Sequence, residues 1–123
     1  MARSTKVHHN GMTFDSKVEF ERYLQLLSMQ QAGEISNLEC HPKFELAPKF
    51  KHDGKTIRAI TYTADFQYID HDSALWIVED VKGAKWNKKR GCYEPYITPA
   101  SQLRMKWFKY KYGSQYTLRI VAM

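Results

Sequence analysis

Apolar positions recur with a helical period early in the chain. In "FDSKVEFERYLQLLSMQQAGEI", from Phe14 to Ile35, Phe20, Tyr23, Leu24 and Leu27 follow the i, i+3, i+4, i+7 spacing of one helix face. Asp15 or Ser16 supplies an N-cap and Gly33 a C-terminal stop. Residues 1–13 are polar and basic and predict a loose, flexible arm. From His41 to Gly83 the helical period disappears, and aromatic and β-branched residues dominate. Two turn signals divide this region, His52-Asp53-Gly54-Lys55 and Asp70-His71-Asp72-Ser73. The spacing predicts three strands over about 43–50, 56–69 and 75–82, with Pro48 marking an edge strand or a bulge. Their short links favour an antiparallel meander. Residues 83–98 carry turn formers without a clean period and read as a loop. Thr98-Pro99 opens a second helix, with Leu103, Trp107 and Tyr110 on one face and Gly113 at its end. "QYTLRIVAM" closes the chain as a strand. The expected order is α-β-β-β-α-β, an α/β arrangement of the α+β, mixed-sheet kind in one domain over 1–123.

Strand alternation then sorts the charged residues. In "LWIVEDVK", Asp80 shares a face with Trp76, Val78 and Lys82, whereas Glu79 lies with Leu75, Ile77 and Val81. In the preceding strand Tyr62, Ala64, Phe66 and Tyr68 share one face, and Thr61, Thr63, Asp65 and Gln67 the other. Aspartate is disfavoured in such a strand. Pairing the two strands as a hairpin brings Asp65 and Asp80 together near one end, with Lys82 beside them. Hard divalent cations take oxygen ligands, and Mg²⁺ is commonly held by one or two carboxylates plus phosphate oxygens and waters. Such an ion polarises a scissile phosphate and makes water a competent nucleophile near neutral pH. A neighbouring lysine can position that water or stabilise charge on the phosphate. A surface hairpin laced with ion pairs would show the same pattern, and by pattern alone is the commoner arrangement. Glu19 also has two readings. Ser16-x-x-Glu19 is a capping box, and Glu19 borders the apolar face, where its carboxylate could lean over a sheet toward a metal.

These residues together resemble the PD-(D/E)XK nuclease superfamily. The resemblance rests on Glu19 in the first helix, Asp65 in "YTADFQY", Asp80-Val81-Lys82 in "VEDVKG", and the element order. More narrowly, "FDSKVEFERY", "HPKFELAPKF", "RAITYTADFQYID" and "VEDVKG" look like a small endonuclease-like family of phages and prophages, over about residues 11–120. The resemblance implies a restriction-endonuclease-like core and Mg²⁺-dependent cleavage of DNA, with Mn²⁺ able to substitute. By position, Asp65 and Asp80 would ligate metal, Lys82 would position water, and Glu19 would complete the site, all four serving catalysis. The proline that gives the superfamily its name is absent, since Ala64 precedes Asp65, and the second acid is the shorter aspartate. Many members carry a polar or basic residue on the following helix, and Gln102 is the candidate here. The implied setting is phage DNA recombination, junction resolution or processing in a host cytoplasm. Junction-resolving members act as dimers, so the resemblance admits a homodimer.

Charge strengthens the nucleic-acid reading. The formal net charge is +6 over 123 residues, which favours polyanionic partners. Between Lys82 and Lys111, Lys85, Lys88, Lys89, Arg90, Arg104, Lys106 and Lys109 face a single acid, Glu94, with Trp86, Tyr93 and Tyr96 interleaved. Lys85, Lys88, Lys89, Arg90, Gln102, Arg104 and Lys106 are the candidate DNA contacts. Such cations give salt-dependent affinity largely independent of sequence, and aromatics can stack on exposed bases or wedge a junction. The competing assignment is a non-catalytic DNA-binding module, which would gain nothing from acids facing phosphates. His8-His9-Asn10 is contiguous within the arm and unsuited to HNH chemistry. The histidines and the lone Cys40 and Cys92 lack zinc-ligand spacing. No Gly-rich phosphate loop or G-x-S-x-G elbow occurs. Without an apolar leader or a membrane-length apolar run, the cysteines read as free thiols of a cytoplasmic protein, with no membrane partner.

Overall fold

The computed structural model describes residues 6–9, 11–14 and 16–123. Much of the expected arm is ordered structure. β1 (Val7–His9) and β2 (Met12–Phe14) pair antiparallel, with Gly11 at a positive φ of 77° between them. Phe14 is fully buried, and Val7 and Met12 pack against its cluster, which holds the ribbon down. Residues 1–5 of the arm, Asn10 and the alternative cap Asp15 lie outside the described residues.

Helix α1 (Lys17–Gln31) begins directly after the expected cap Ser16, which adopts extended backbone and whose Oγ accepts the Glu19 N–H at 3.2 Å. It ends at Ala32, and Gly33 follows at a φ of 79°. Tyr23 and Leu26 are its buried apolar residues, while Leu24, expected on the inner face, is 44% exposed. β3 (Ile35–Cys40) follows at once, where the sequence pattern indicates no strand. Its alternation is broken by a bulge between Ser36 and Glu39, with Asn37 in the left-handed region at φ 57°.

The expected strand over 43–50 divides at Pro48 into β4 (Lys43–Ala47) and β5 (Phe50–His52). β5 pairs with β6 (Lys55–Ile57) across Asp53 and Gly54, both at positive φ, as the hairpin signal predicts. The expected strand over 56–69 is three strands. After β6 come β7 (Ile60–Thr63), paired with β4, and β8 (Phe66–Asp70), paired with β3 and β9 (Leu75–Lys82). The change of partner falls at Ala64-Asp65. There the Ala64 N–H donates to Pro42 O and the Asp65 N–H to Glu79 O. The 83–98 loop proves to be mostly a hairpin of β10 (Ala84–Asn87) and β11 (Cys92–Pro95).

Helix α2 (Pro99–Tyr112) starts where Thr98-Pro99 places it, with Thr98 Oγ1 accepting the Ser101 N–H. Its inner face is Met105 and Phe108, whereas Leu103 is 62% and Tyr110 88% exposed. The helix carries two competing apolar stripes, and packing selects the one that also includes Tyr112. β12 (Thr117–Ala122) then lies parallel to β9.

The central sheet has four strands in the order β12-β9-β8-β3, with β8 antiparallel to both neighbours. It is therefore mixed. α1 and the β1–β2 ribbon cover one face with Phe14, Tyr23, Leu26, Phe66, Tyr68 and Ile77. α2, β4 and β7 cover the other with Phe44, Leu46, Tyr62, Val78, Met105 and Phe108. Adjacent Ile77 and Val78 project into opposite layers, and both are fully buried. Each such buried apolar side chain contributes about 1.5–3 kcal/mol. The break at Ala64-Asp65 puts Tyr62 and Ala64 in one layer and Phe66 and Tyr68 in the other, although alternation alone assigns all four to one face. Among the described residues no helix is long and apolar enough to cross a membrane.

Candidate functional site

Where β9 runs past the break before β8, the N-terminal turns of α1 and α2 overhang the sheet. Together they frame a cleft of about 610 Å³. Its lining includes Glu19, Tyr62, Asp65, Asp80, Lys82 and Arg104.

Asp80 and Glu79 part as alternation predicts. Asp80 faces the cleft, where its Oδ2 accepts from the Tyr62 hydroxyl at 2.6 Å and its Oδ1 lies 3.1 Å from Lys82 Nζ. Burial, with the Asp80 carboxylate alongside, holds the Tyr62 hydroxyl far above its usual pKa, so it stays a proton donor. Glu79 points into the opposite layer and is fully buried. Its oxygens accept from Arg22 Nε at 2.8 Å and Nη2 at 2.6 Å, and from the Tyr68 hydroxyl. This bidentate pair ties α1 to β9.

Asp65 stands at the partner switch between β7 and β8. Its Oδ2 accepts the Val81 N–H at 2.6 Å. Burial, reinforced by the Glu19 and Asp80 carboxylates, pushes its carboxyl up to about 7, against the opposing pull of the Val81 N–H and Lys82. Glu19 is buried beneath the first turn of α1. Ser16 caps its N–H, and its own Oε1 lies 2.6 Å from His41 Nε2. Ser16 therefore does the capping, while the Glu19 carboxylate is engaged by His41 at the cleft.

His41 is the site residue that sequence spacing missed. It sits in the left-handed region at φ 55°, just before Pro42, and its N–H donates to Asp65 O at 2.9 Å. That bond fixes the imidazole beside the acids. No local pattern could expose it, since it is 22 residues from Glu19. One ligand atom from each of Glu19, His41 and Asp65 lies within 4.8 Å of the others. Two carboxylates and an imidazole are a donor set that could hold a divalent cation. The Asp65 carboxyl fits that use, because burial first and the Glu19 and Asp80 carboxylates second raise its pKa, and a bound cation would offset both. Asp80 stands apart from this trio, engaged by Tyr62 and Lys82.

The candidate DNA contacts separate into groups. Arg104 lines the cleft. Lys85, Lys88, Lys89 and Gln102 border a neighbouring groove of about 430 Å³ beneath the β10–β11 hairpin. Arg90 pairs with Glu94 at the hairpin turn, and Lys106 is exposed on α2. Both cysteines are free, with Cys92 exposed. Burial pushes the Cys40 thiol up to about 11, which disfavours its thiolate form.

A family model described as "Protein of unknown function (DUF1064)" matches residues 2–122. The chain belongs to this family. No curated protein and no solved structure matches it. The match spans every element described above, so the cleft and the hairpin both lie within the family's common extent.

Proposed function

We propose that this member of the family is a divalent-metal-dependent DNA endonuclease built on a restriction-endonuclease-like core. One observation carries the reading. Glu19, His41 and Asp65 present donors within 4.8 Å of one another, in a cleft that also holds the Asp80–Lys82 pair. The order of the two helices and the central sheet's strands, α1-β3-β8-β9-α2-β12, supports it.

Mg²⁺ or Mn²⁺, when bound, would polarise the scissile phosphate and ease deprotonation of water. Glu19, His41 and Asp65 would hold the ion, with Asp80 the candidate further ligand. The chain's own groups do the rest. Lys82, oriented by its 3.1 Å contact with Asp80, offers its ammonium to the phosphate as negative charge develops. Tyr62 fixes the Asp80 rotamer by donating to Oδ2. The N-terminal turns of α1 and α2 favour anions at the cleft mouth, and Arg104 adds a full positive charge. Phage recombination, junction resolution or DNA processing is the setting proposed, and symmetric cutting of two strands would require a homodimer.

The test is a cleavage panel of four-way junction, flap, nicked and linear DNA with Mg²⁺, Mn²⁺ or EDTA, using wild type and Asp80→Asn. Metal-dependent products that vanish in the variant are expected. Salt-sensitive binding without product under any condition would instead identify a non-catalytic DNA-binding module.

A further inference from the structure

The β10–β11 hairpin leaves the sheet immediately beyond the cleft, two residues after Lys82. Its root is tied to the body, with the Ala84 N–H donating to Met123 O at 3.0 Å and the Tyr96 N–H to Gly83 O at 3.1 Å. Its turn is braced as well. Asn87 Oδ1 accepts the N–H groups of Lys89 and Arg90, and Asn87 Nδ2 donates to Glu94. The ribbon is thus a supported projection that begins two residues beyond Lys82 in the chain.

Much of its aromatic surface is open to solvent. Trp86 and Tyr93 are directly opposed across the ribbon, with ring centroids 5.0 Å apart and planes at 69°. They remain 50% and 71% exposed, and Tyr96, with Lys85 Nζ 4.9 Å above its ring, is 57% exposed. Lys88 and Lys89 stand at the tip, exposed. Cations alone would serve a continuous duplex, whose base faces are already stacked on one another. Exposed rings beside cations match a strand whose bases are free to stack on them.

We propose that this hairpin is a stacking platform for unpaired bases, so that the substrate is DNA carrying a single-stranded segment next to the cleavage position. The inference rests on the nuclease reading for its context, but its own claim concerns binding. Trp86 and Tyr93 receive bases, and Lys88 and Lys89 hold the adjoining phosphates.

The test measures binding in EDTA by fluorescence anisotropy, with oligo-dT, a splayed-arm duplex and a blunt duplex of equal length. Wild type is expected to bind the first two at least about 10-fold tighter than the blunt duplex. Trp86→Ala/Tyr93→Ala should lose most of that margin and leave the blunt-duplex affinity nearly unchanged. Trp86→Phe/Tyr93→Phe should retain it, which separates stacking from damage to the fold. Lys88→Ala/Lys89→Ala should weaken all three and flatten the salt dependence. Equal wild-type affinity for all three DNAs, or an unchanged preference in the double alanine variant, overturns the proposal. Preference for unpaired bases without cleavage under Mn²⁺ would retain the platform and reject the nuclease. Cleavage with the same flap-to-duplex ratio in wild type and the double alanine variant would do the reverse.

Discussion

Asp65→Asn should make the metal-free protein more stable while removing its affinity for divalent cations. The Asp65 carboxyl is held at about 7 instead of 3.8, chiefly by burial and then by the Glu19 and Asp80 carboxylates. That span corresponds to at most about 4 kcal/mol of penalty once the group ionises. Partial solvent access screens the charge, so a gain of about 1–3 kcal/mol is expected from the neutral amide. In a chain of 123 residues this is about 4–12 °C in Tm. The amide oxygen can still accept the Val81 N–H, so the backbone contact survives. The sign follows from proton binding. Below about pH 4 the carboxyl is protonated in both the folded and unfolded chains, and the penalty is absent. As pH rises from about 4 to 7 the unfolded chain ionises while the folded one keeps its proton, so wild-type stability falls. Above about 7 the penalty is complete. The Asn variant's advantage should therefore grow across pH 4 to 7 and level off above it. Thermal melts at pH 5 and pH 8 in EDTA, repeated with excess Mn²⁺, read this out. Mn²⁺ should raise the wild-type Tm and leave the variant unmoved. A variant less stable than wild type at pH 8, or a gain of equal size at pH 5, would refute the buried-carboxylate account.

Glu79→Gln should lower the Tm by about 8–16 °C, since it breaks a buried bidentate ion pair and leaves the Arg22 charge uncompensated, at a cost of about 2–4 kcal/mol. Cleavage per folded molecule should survive, whereas Asp80→Asn should abolish cleavage with a smaller change in Tm, and the opposite pattern in paired melting and cleavage assays would place the acids on the wrong faces. His41→Ala should weaken Mn²⁺ binding by about 10-fold or more in calorimetric titration and weaken Mg²⁺ less, because imidazole favours the transition metal; equal loss for both ions would count against ligation by His41.

What could be read from the sequence was local. Ser16 and Thr98-Pro99 mark helix starts by hydrogen-bonding chemistry confined to a single turn. Asp53-Gly54 marks a hairpin because its backbone conformation suits those residues. Strand alternation separates Asp80 from Glu79, since two neighbours in one strand must face opposite ways. Tertiary structure decided the rest. The bulge at Asn37 erased the alternation of β3, and the partner switch at Ala64-Asp65 sent Tyr62 and Phe66 into different layers. In α2 the stripes of Leu103 and Phe108 are equally apolar on paper, and the packing against Phe44 and Tyr62 selected Phe108. Residues 83–98 became a ribbon through cross-strand pairing of Ala84–Asn87 with Cys92–Pro95. His41 entered the acid cluster through a backbone bond to Asp65, and Arg22 found Glu79 across 57 residues. Such contacts bring together groups far apart along the chain, and their energies depend on burial and register that no local period encodes.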